Sequence, residues 1–480
     1  MSKDPPDPRS VVRAALQGRS AWLVGGALRD ALLDRPTSDL DIVVEGDAGS
    51  AAQALARAAG GPAFELSDEF GSWRVMARDR AWQADISPLR GGSLEDDLAL
   101  RDFTVNAIAE PLQGGPPIDP HGGAEDLAAG RLRAVGSGAF ADDPLRVVRL
   151  VRLAAELALV PDCATIVLAR SSAAGAAGVA QERVFAELKR ILAGDGVVAS
   201  LALMDEIGLT AAILPELAAL HGVEQNRYHH ADVHAHTIEV LEQVVALQAD
   251  PAAVCGSAQA HVVGALLAEP LADDLDRGTA LRIGGLLHDI AKPLTLARRD
   301  DGTPTFLGHD RAGADLARAI LTRLRASERL KAHVANLTRH HLRLGFLVHE
   351  RPLARRALYR YLKACEPVEV DVTLLSVADR LATRGRKAQE SIATHLELAH
   401  EVLPAALRWR AEGRRVALLR GDLLADALGL RDGPELGRLL AAIDEARFAG
   451  EVTSPEEAVA LAARLHTEVA ATRGERDAEH

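Results

Sequence analysis

The chain has 480 residues and a formal charge of −13, from 55 Lys and Arg against 68 Asp and Glu; at roughly 150 residues per domain this length suggests about three domains. Hydrophobic residues make up 48% and charged residues 26%, ample material for packed cores, which excludes wholesale disorder. The net acidity excludes nonspecific coating of nucleic acid but leaves room for a local basic groove, because phosphate charge is felt over only about 10 Å at physiological salt.

Residues 1–18 read as a loose, polar lead-in. From 19 to about 120 the texture mixes strands and helices. Trp22–Val24 reads as a short strand ending in Gly25-Gly26, and a helical stretch runs from Ala27 to Leu33. Leu40–Val44 alternates as a second strand, and Val75–Ala77 and Trp82–Ile86 read as two more. After Asp142 strand signals almost vanish. Long Ala/Leu/Arg helical patterning replaces them, broken at Pro161, at the Gly/Ala run 173–180, at Gly194-Asp195-Gly196 and at Pro215. The region 228–385 is helical and rich in His. From Leu418 the tail reads as short helices, with a start at Gly421-Asp422 and a break at Gly433-Pro434. Aromatics are 3% of the chain, so its cores are expected to be tightly packed helices of Ala, Leu and Val. Cys163, Cys255 and Cys365 are isolated, which argues against a disulfide scaffold or Cys-rich zinc site and suits a reducing compartment. No stretch reaches about 18 uncharged apolar residues and no secretory h-region follows the start, so no membrane is expected and a cytoplasmic location is.

Four segments carry chemistry in the first half. Val24-Gly25-Gly26-Ala27-Leu28-Arg29-Asp30 is a strand, a glycine turn and a helix start. The glycines let backbone approach a ligand, the helix start offers N–H groups to phosphate, and Arg29 can pair with a triphosphate oxygen. Asp39 and Asp41 stand two apart in the next strand, so they share a face about 7 Å apart. Two carboxylates there, with no local Lys, repel unless cations sit between them, and such oxygen-rich positions suit Mg²⁺. Asp85, in a later strand, is a third carboxylate able to complete a two-metal site. Arg101-Asp102-Phe103-Thr104-Val105-Asn106 sets a cation, a carboxylate and an amide around an apolar anchor, suited to ribose and phosphate contacts. Asp143 and Arg146, three apart, are expected to share a helix face and imitate a Watson–Crick edge, with Arg146, Arg149 and Arg152 as a basic stripe. Each segment alone has a blander counterpart: a common turn, a solvated acid pair, an ordinary helix start, a solvated Arg face.

Taken in order, GGALRD, DLD, RDFTVNA, DPHGG with a following DL, DDPLRVVR and Gln181–Leu188 resemble the class II tRNA nucleotidyltransferase/poly(A) polymerase family. The resemblance covers residues about 20–200, with weaker similarity through 418–460. It implies that Asp39 and Asp41 hold catalytic metal and that Gly26 and Arg29 contact the incoming nucleotide, with Gly25 and Asp30 in the same motif. Arg101 carries over from its motif alongside Asp102 and Asn106. Asp143 and Arg146 would read C and A without a nucleic-acid template, and Arg149, with Arg152 beyond it, would face the triphosphate. Three positions depart from the family pattern: Leu100 replaces a first arginine, Asp142 a glutamate, and His121 a common phenylalanine.

The second half carries a different set. It begins with Tyr228-His229-His230-Ala231-Asp232-Val233-His234-Ala235-His236 and continues with the adjacent His288-Asp289 on an apolar helix. Then come His309, His340-His341 and Asp379. A His-Asp dipeptide on an apolar helix is costly to bury unless coordinated or paired, and both side chains are ligands for divalent metals. This pattern resembles the HD phosphohydrolase superfamily across about 228–385. The resemblance implies His236, His288, Asp289 and Asp379 as ligands of a divalent metal whose identity it does not fix. His309 with His340 or His341 would support a second metal or bind phosphate. Arg339, Arg343, Arg351, Arg355, Arg356, Arg360 and Lys363, with Arg384, Arg386 and Lys387, read either as an RNA-facing surface or as a solvated helix face.

The expected fold is α+β: a nucleotidyltransferase palm over 1–140, a small mixed sheet with helices, then a helical neck over 141–220. An all-α HD domain follows over 221–395, then a helical tail over 396–480. The resemblances imply addition of CCA, or part of it, to tRNA 3′ ends from CTP and ATP, with a second, HD phosphohydrolase activity. The alternatives are a poly(A) polymerase, an HD phosphohydrolase whose transferase half is inactive, and a nonenzymatic nucleotide sensor. Oligomeric state is not legible.

Overall fold

The computed structural model describes residues 7–68, 70–225, 231–384, 388–413 and 416–478. The chain divides into two compact units, Met1–Pro215 and Glu216–His480. Among the described residues no helix is long and apolar enough to cross a membrane.

The first unit is built on a six-stranded sheet. Its strands are β1 (Ala21–Val24), β2 (Asp39–Val44), β3 (Ala63–Ser67), β4 (Ser72–Met76), β5 (Gln83–Pro88) and β6 (Ala109–Pro111), in the order β3-β4-β5-β2-β1-β6. β2 and β5 run parallel, and every other neighbouring pair is antiparallel. Alternation sorts the side chains. Leu40, Ile42, Val44, Ala84 and Ile86 face a core closed by the helices Pro8–Ala15 and Ala48–Ala59. The other face buries Val24 and Val43 with Leu94, Leu98, Ala107 and Ala109. Asp39, Asp41 and Asp85 lie on that second face, beyond its apolar patch.

The expected strands and first helix are present with shifted ends, and β3, β6 and the helix Ala48–Ala59 join them. Two expectations change. The lead-in is a helix, Pro8–Ala15: Asp7 caps its first turn and Val12 is fully buried, with Leu16 buried just beyond it. Strands also persist after Asp142 as short two-stranded pairs, such as Ala297–Arg298 with Pro304–Thr305. These are too short to alternate, so periodicity does not reveal them.

The second unit is helical. Val233–Ala249, Arg277–Leu287, Glu328–His340 and Glu369–Leu381 pack around Val240, Val244, Leu281, Leu337 and Leu375. The tail helices Gly421–Leu428, Pro434–Ala449 and Pro455–Ala478 gather a separate core around Leu424, Leu439, Ile443 and Ala458.

Candidate active site and metal centre

Sheet register makes the first site. Arg74 on β4 pairs with Asp85 on β5, Asp85 with Asp41 on β2, and Asp41 with Val24 on β1. Cross-strand partners share a face, so one row runs Arg74, Asp85, Asp41 and then the chain into Gly25. A cavity of about 450 Å³ opens over this row. Gly25, Gly26, Arg29, Asp30, Asp39, Asp41, Asp85, Arg101, Asp102, Asn106, Arg149 and Arg152 all line it. Gly25 has φ +70° and ψ −135°, a conformation costly for any residue with a Cβ. A Cβ there would stand 3.0 Å from Arg101 Nη1 and 3.1 Å from Asp41 Oδ2.

The carboxylates are not equivalent. Asp41 opens onto the cavity yet lies deep among its neighbours. That crowding pushes its carboxyl up, Arg101 pulls it down, and Asp85 and Asp39 push it up again. Asp85 is held by a fork from Arg74, Nε to Oδ1 at 2.7 Å and Nη2 to Oδ2 at 2.8 Å.

The other polar residues form a chain beneath the cavity. Arg29 donates to Asp30 at 2.9 Å and to Asn106 Oδ1 at 2.7 Å. Asn106 donates to Asp102 at 2.9 Å, and Arg149 closes on the same aspartate at 2.7 Å. Burial alone would raise the Asp102 carboxyl; Arg149, Asn106 and the Phe103 N–H outweigh it and bring it down to about 2. Arg101 is anchored by Asp97 at 3.1 Å, and Arg152 is buried against Glu187 and Glu156. The basic stripe therefore meets acids at two of its three positions. Asp119 accepts from the N–H groups of Gly123 and Ala124, and buried Asp126 receives Thr104, Arg131 and Arg133. The DPHGG and DL segments thus brace the loop that carries Asp102 and Asn106.

Asp143 and Arg146 depart from expectation. The helix starts at Leu145, and Asp143 precedes it with extended φ −146° and ψ 99°, as the residue before Pro144 prefers. Its Oδ1 accepts from Leu145 N at 3.2 Å, and its Oδ2 takes Arg183 at 2.8 Å. Arg146 turns to the carbonyls of Leu100, Arg101 and Ala139. The two share no helix face, and neither lines the cavity.

The second unit gathers the HD residues. His236 Nε2 lies 3.1 Å from Asp379 and 3.7 Å from Asp289, and His288 Nε2 is 3.1 Å from Asp289 Oδ2. Asp289 Oδ1 faces His309 Nε2 at 3.2 Å and His341 Nε2 at 3.9 Å. Three imidazoles are oriented alike. The Nδ1 atoms of His288, His309 and His341 lie 2.6–2.7 Å from the carbonyls of Gly285, Phe306 and Thr338. A carbonyl accepts only, so each Nδ1 donates to it and each Nε2 is the ring nitrogen left facing Asp289. Imidazole nitrogens gathered on a carboxylate are the donor set that a shared divalent cation takes. Within this cluster two groups have donor atoms close enough for one: His236 with His288 and Asp289, and Asp289 with His309 and His341. Burial works against ionising Asp289, yet His288 and Lys292 hold it well below the carboxylate range. Burial, reinforced by His288, takes His341 down to about 4 and keeps it neutral.

Of the alternatives open at the second position, His341 is the inward one; His340 accepts from Arg343 at the surface. His234 stacks on His221, with ring centres 3.6 Å apart. Tyr228, His229, His230, Arg386 and Lys387 lie outside the described residues. Half of the described cations in the remaining basic patch meet acids: Arg351 meets Glu397, Arg356 meets Glu451, Arg360 meets Glu350, and Lys363 meets Glu366. Sequence reasoning did not single out Arg74, Asp97, Arg183, Glu187 or Lys292. Arg183 and Glu187 lay within the Gln181–Leu188 motif, and Lys292 stands three residues beyond Asp289, where the turn after the helix Arg277–Leu287 opens the helix Lys292–Thr295.

A mixed sheet holding a carboxylate row beside a glycine turn, followed by helices and an HD cluster, defines a nucleotidyltransferase with an appended HD domain. Family models agree: "Poly A polymerase head domain" matches residues 21–133, "Probable RNA and SrmB- binding site of polymerase A" residues 170–220, and "HD domain" residues 233–384. The chain is 37% identical to the A-adding tRNA nucleotidyltransferase of Deinococcus radiodurans, covering 92% of this chain and 95% of the relative. It is 36% identical to the CC-adding tRNA nucleotidyltransferase of Thermus thermophilus, over 92% and 93%. With the multifunctional CCA protein of Xanthomonas campestris pv. campestris the identity is 32%, over 88% and 96%. A Thermotoga maritima CCA-adding enzyme complexed with tRNA shares the fold, with TM-score 0.62 at 19% identity over 97% of each chain. The chain belongs to the tRNA nucleotidyltransferase family and is an RNA nucleotidyltransferase.

Proposed function

We propose that this protein extends the 3′ end of tRNA with C, A or both, taking CTP and ATP and releasing pyrophosphate, and so builds all or part of CCA. The observation that carries the reading is the row of Asp85 and Asp41, with Asp39 beside it, ending at the Gly25 turn. Asp39 and Asp41 would hold Mg²⁺, and Asp85 would help hold it or orient the 3′ hydroxyl. Bound there, the cations would neutralise the triphosphate and make the hydroxyl a better nucleophile. Gly25 and Gly26 bring backbone against the nucleotide. Arg29, Arg101 and Arg149 bind the triphosphate, and Asp30, Asp102 and Asn106 fix those arginines. Arg152 anchors the neck helix behind them. Asp143 and Arg146 select the base in this reading, although neither lines the cavity described, and Arg183 sets the position of Asp143.

In the HD domain His236, His288, Asp289 and Asp379 would hold a divalent metal, with His309 and His341 on the other oxygen of Asp289. A cation there would activate water for phosphoester hydrolysis. The reading keeps a palm to residue 140, a neck to 220, an HD domain to 395 and a tail beyond. It places the protein in the cytoplasm, with the tRNA it matures.

The test incubates the full chain with tRNA transcripts ending before CCA, after C and after CC, with each NTP separately. Addition confined to the CCA positions is expected. ATP incorporation onto any RNA favours a poly(A) polymerase. Addition that survives Asp39→Ala overturns the assignment of the site, whereas loss in Asp39→Ala with retention in His288→Ala rejects the reading of an inactive transferase half.

A further inference from the structure

The row across the sheet has a direction. The glycine turn with Arg29 and Arg101 lies at its β1 end, and the aspartates stand in the middle. At its β4 end stands Arg74. Of the residues that β4 and β5 contribute to the cavity wall, Arg74, Gln83 and Asp85, only Arg74 is a cation. Its fork to Asp85 uses Nε and Nη2, and among the described residues Nη1 makes no hydrogen bond. The side chain is about one-third exposed, so it is accessible from the cavity.

Nucleotidyl transfer forms a bond from the RNA 3′ oxygen to the α-phosphorus and breaks the bond to pyrophosphate. In-line displacement puts these two oxygens on opposite sides of the phosphorus. With the triphosphate held at the glycine turn, pyrophosphate leaves on the β1 side and the RNA 3′ end enters from the β4 side. That approach carries backbone phosphates toward three carboxylates, which costs Coulomb energy unless a cation meets them. We propose that Arg74 is a positioning residue for the RNA substrate: Asp85 fixes its guanidinium, and its remaining N–H donors take a phosphate of the RNA strand next to the 3′ end. This rests on the nucleotidyltransferase reading of the cavity.

The test measures equilibrium binding of a tRNA transcript lacking CCA, and separately of CTP and ATP, to the full chain and its Arg74→Gln variant. Loss of one charged phosphate contact is expected to weaken tRNA binding by roughly tenfold, with nucleotide binding unchanged. The slope of log K against log salt should fall by about 0.7. Arg74→Lys keeps the charge without the fork, so it should retain the salt slope and recover most of the affinity. Unchanged tRNA binding by Arg74→Gln overturns the proposal, as does weaker nucleotide binding in its place. If Arg74→Gln does not fold, Arg74→Met decides: weaker tRNA binding with nucleotide binding unchanged supports the proposal, and unchanged tRNA binding, or parallel loss for tRNA and nucleotide, overturns it. A wild-type chain that binds tRNA through Arg74 yet adds no nucleotide sinks the enzymatic reading alone; one that binds no tRNA sinks this proposal.

Discussion

At the scale of single residues, Asp102 and Gly25 decide the most. Asp102 has its carboxyl at about 2 in the folded chain, against about 3.9 for an unfolded aspartate. A depressed acid contributes stability that is present above its unfolded pKa and is lost as pH falls through the folded value. The contribution, about 2–3 kcal/mol, is therefore complete at neutral pH and disappears between about pH 4 and pH 2. Asp102→Asn should be less stable than wild type by about that amount in denaturant unfolding at pH 7, with the gap closing in acid. A gap independent of pH would place the effect elsewhere. Gly25→Ala brings a Cβ to 3.0 Å from Arg101 and 3.1 Å from Asp41, at a backbone conformation that glycine tolerates best. We expect strain of about 1–3 kcal/mol and, because both displaced groups line the cavity proposed to take the nucleotide, nucleotide addition reduced more than tenfold. Addition by the variant at the wild-type rate would show that the turn has no close approach to make.

At the scale of elements, the helix Leu145–Leu157 is tied to its surroundings by charge as well as by its apolar face. Arg149 reaches Asp102 in the preceding loop, while Arg152 is buried against Glu187 on the helix Gln181–Ala193. Removing one partner of a buried pair strands the other. Glu187→Ala should therefore cost roughly 3 kcal/mol, seen as a lowered unfolding midpoint, with CTP binding weakened because Arg152 lines the cavity. A stability change below about 0.5 kcal/mol would mean that Glu156 satisfies Arg152 alone. The helix start is instructive too. Spacing places Asp143 and Arg146 one helical turn apart, but Pro144 pushes the residue before it out of the helical region, so only Arg146 is helical.

At the scale of the whole molecule, the proposed metal sites fall one in each unit, the carboxylates Asp39, Asp41 and Asp85 in the first and the His-Asp cluster in the second. Titration with Mn²⁺ should reveal two classes of site in the wild-type chain. His288→Ala should lose one class and keep nucleotide addition, and Asp39→Ala should do the reverse. One class of site in the wild type, or loss of both in either variant, would contradict the separation.

The chemistry of both sites was legible from local pattern, because strand alternation and helical spacing are properties of a few adjacent residues. Asp39 and Asp41 had to share a face, and His288 and Asp289 had to be partnered on an apolar helix. Their partners were less so. Arg74 meets Asp85 through strand register and Arg149 meets Asp102 across 47 residues, while His309 and His341, paired beforehand only through the family resemblance, converge on one carboxylate oxygen. Such pairings depend on how elements dock, which is settled by burial of apolar surface far from the charges themselves. The sequence alone determined which groups could bind nucleotide and metal; the tertiary structure decided which acids each cation would meet.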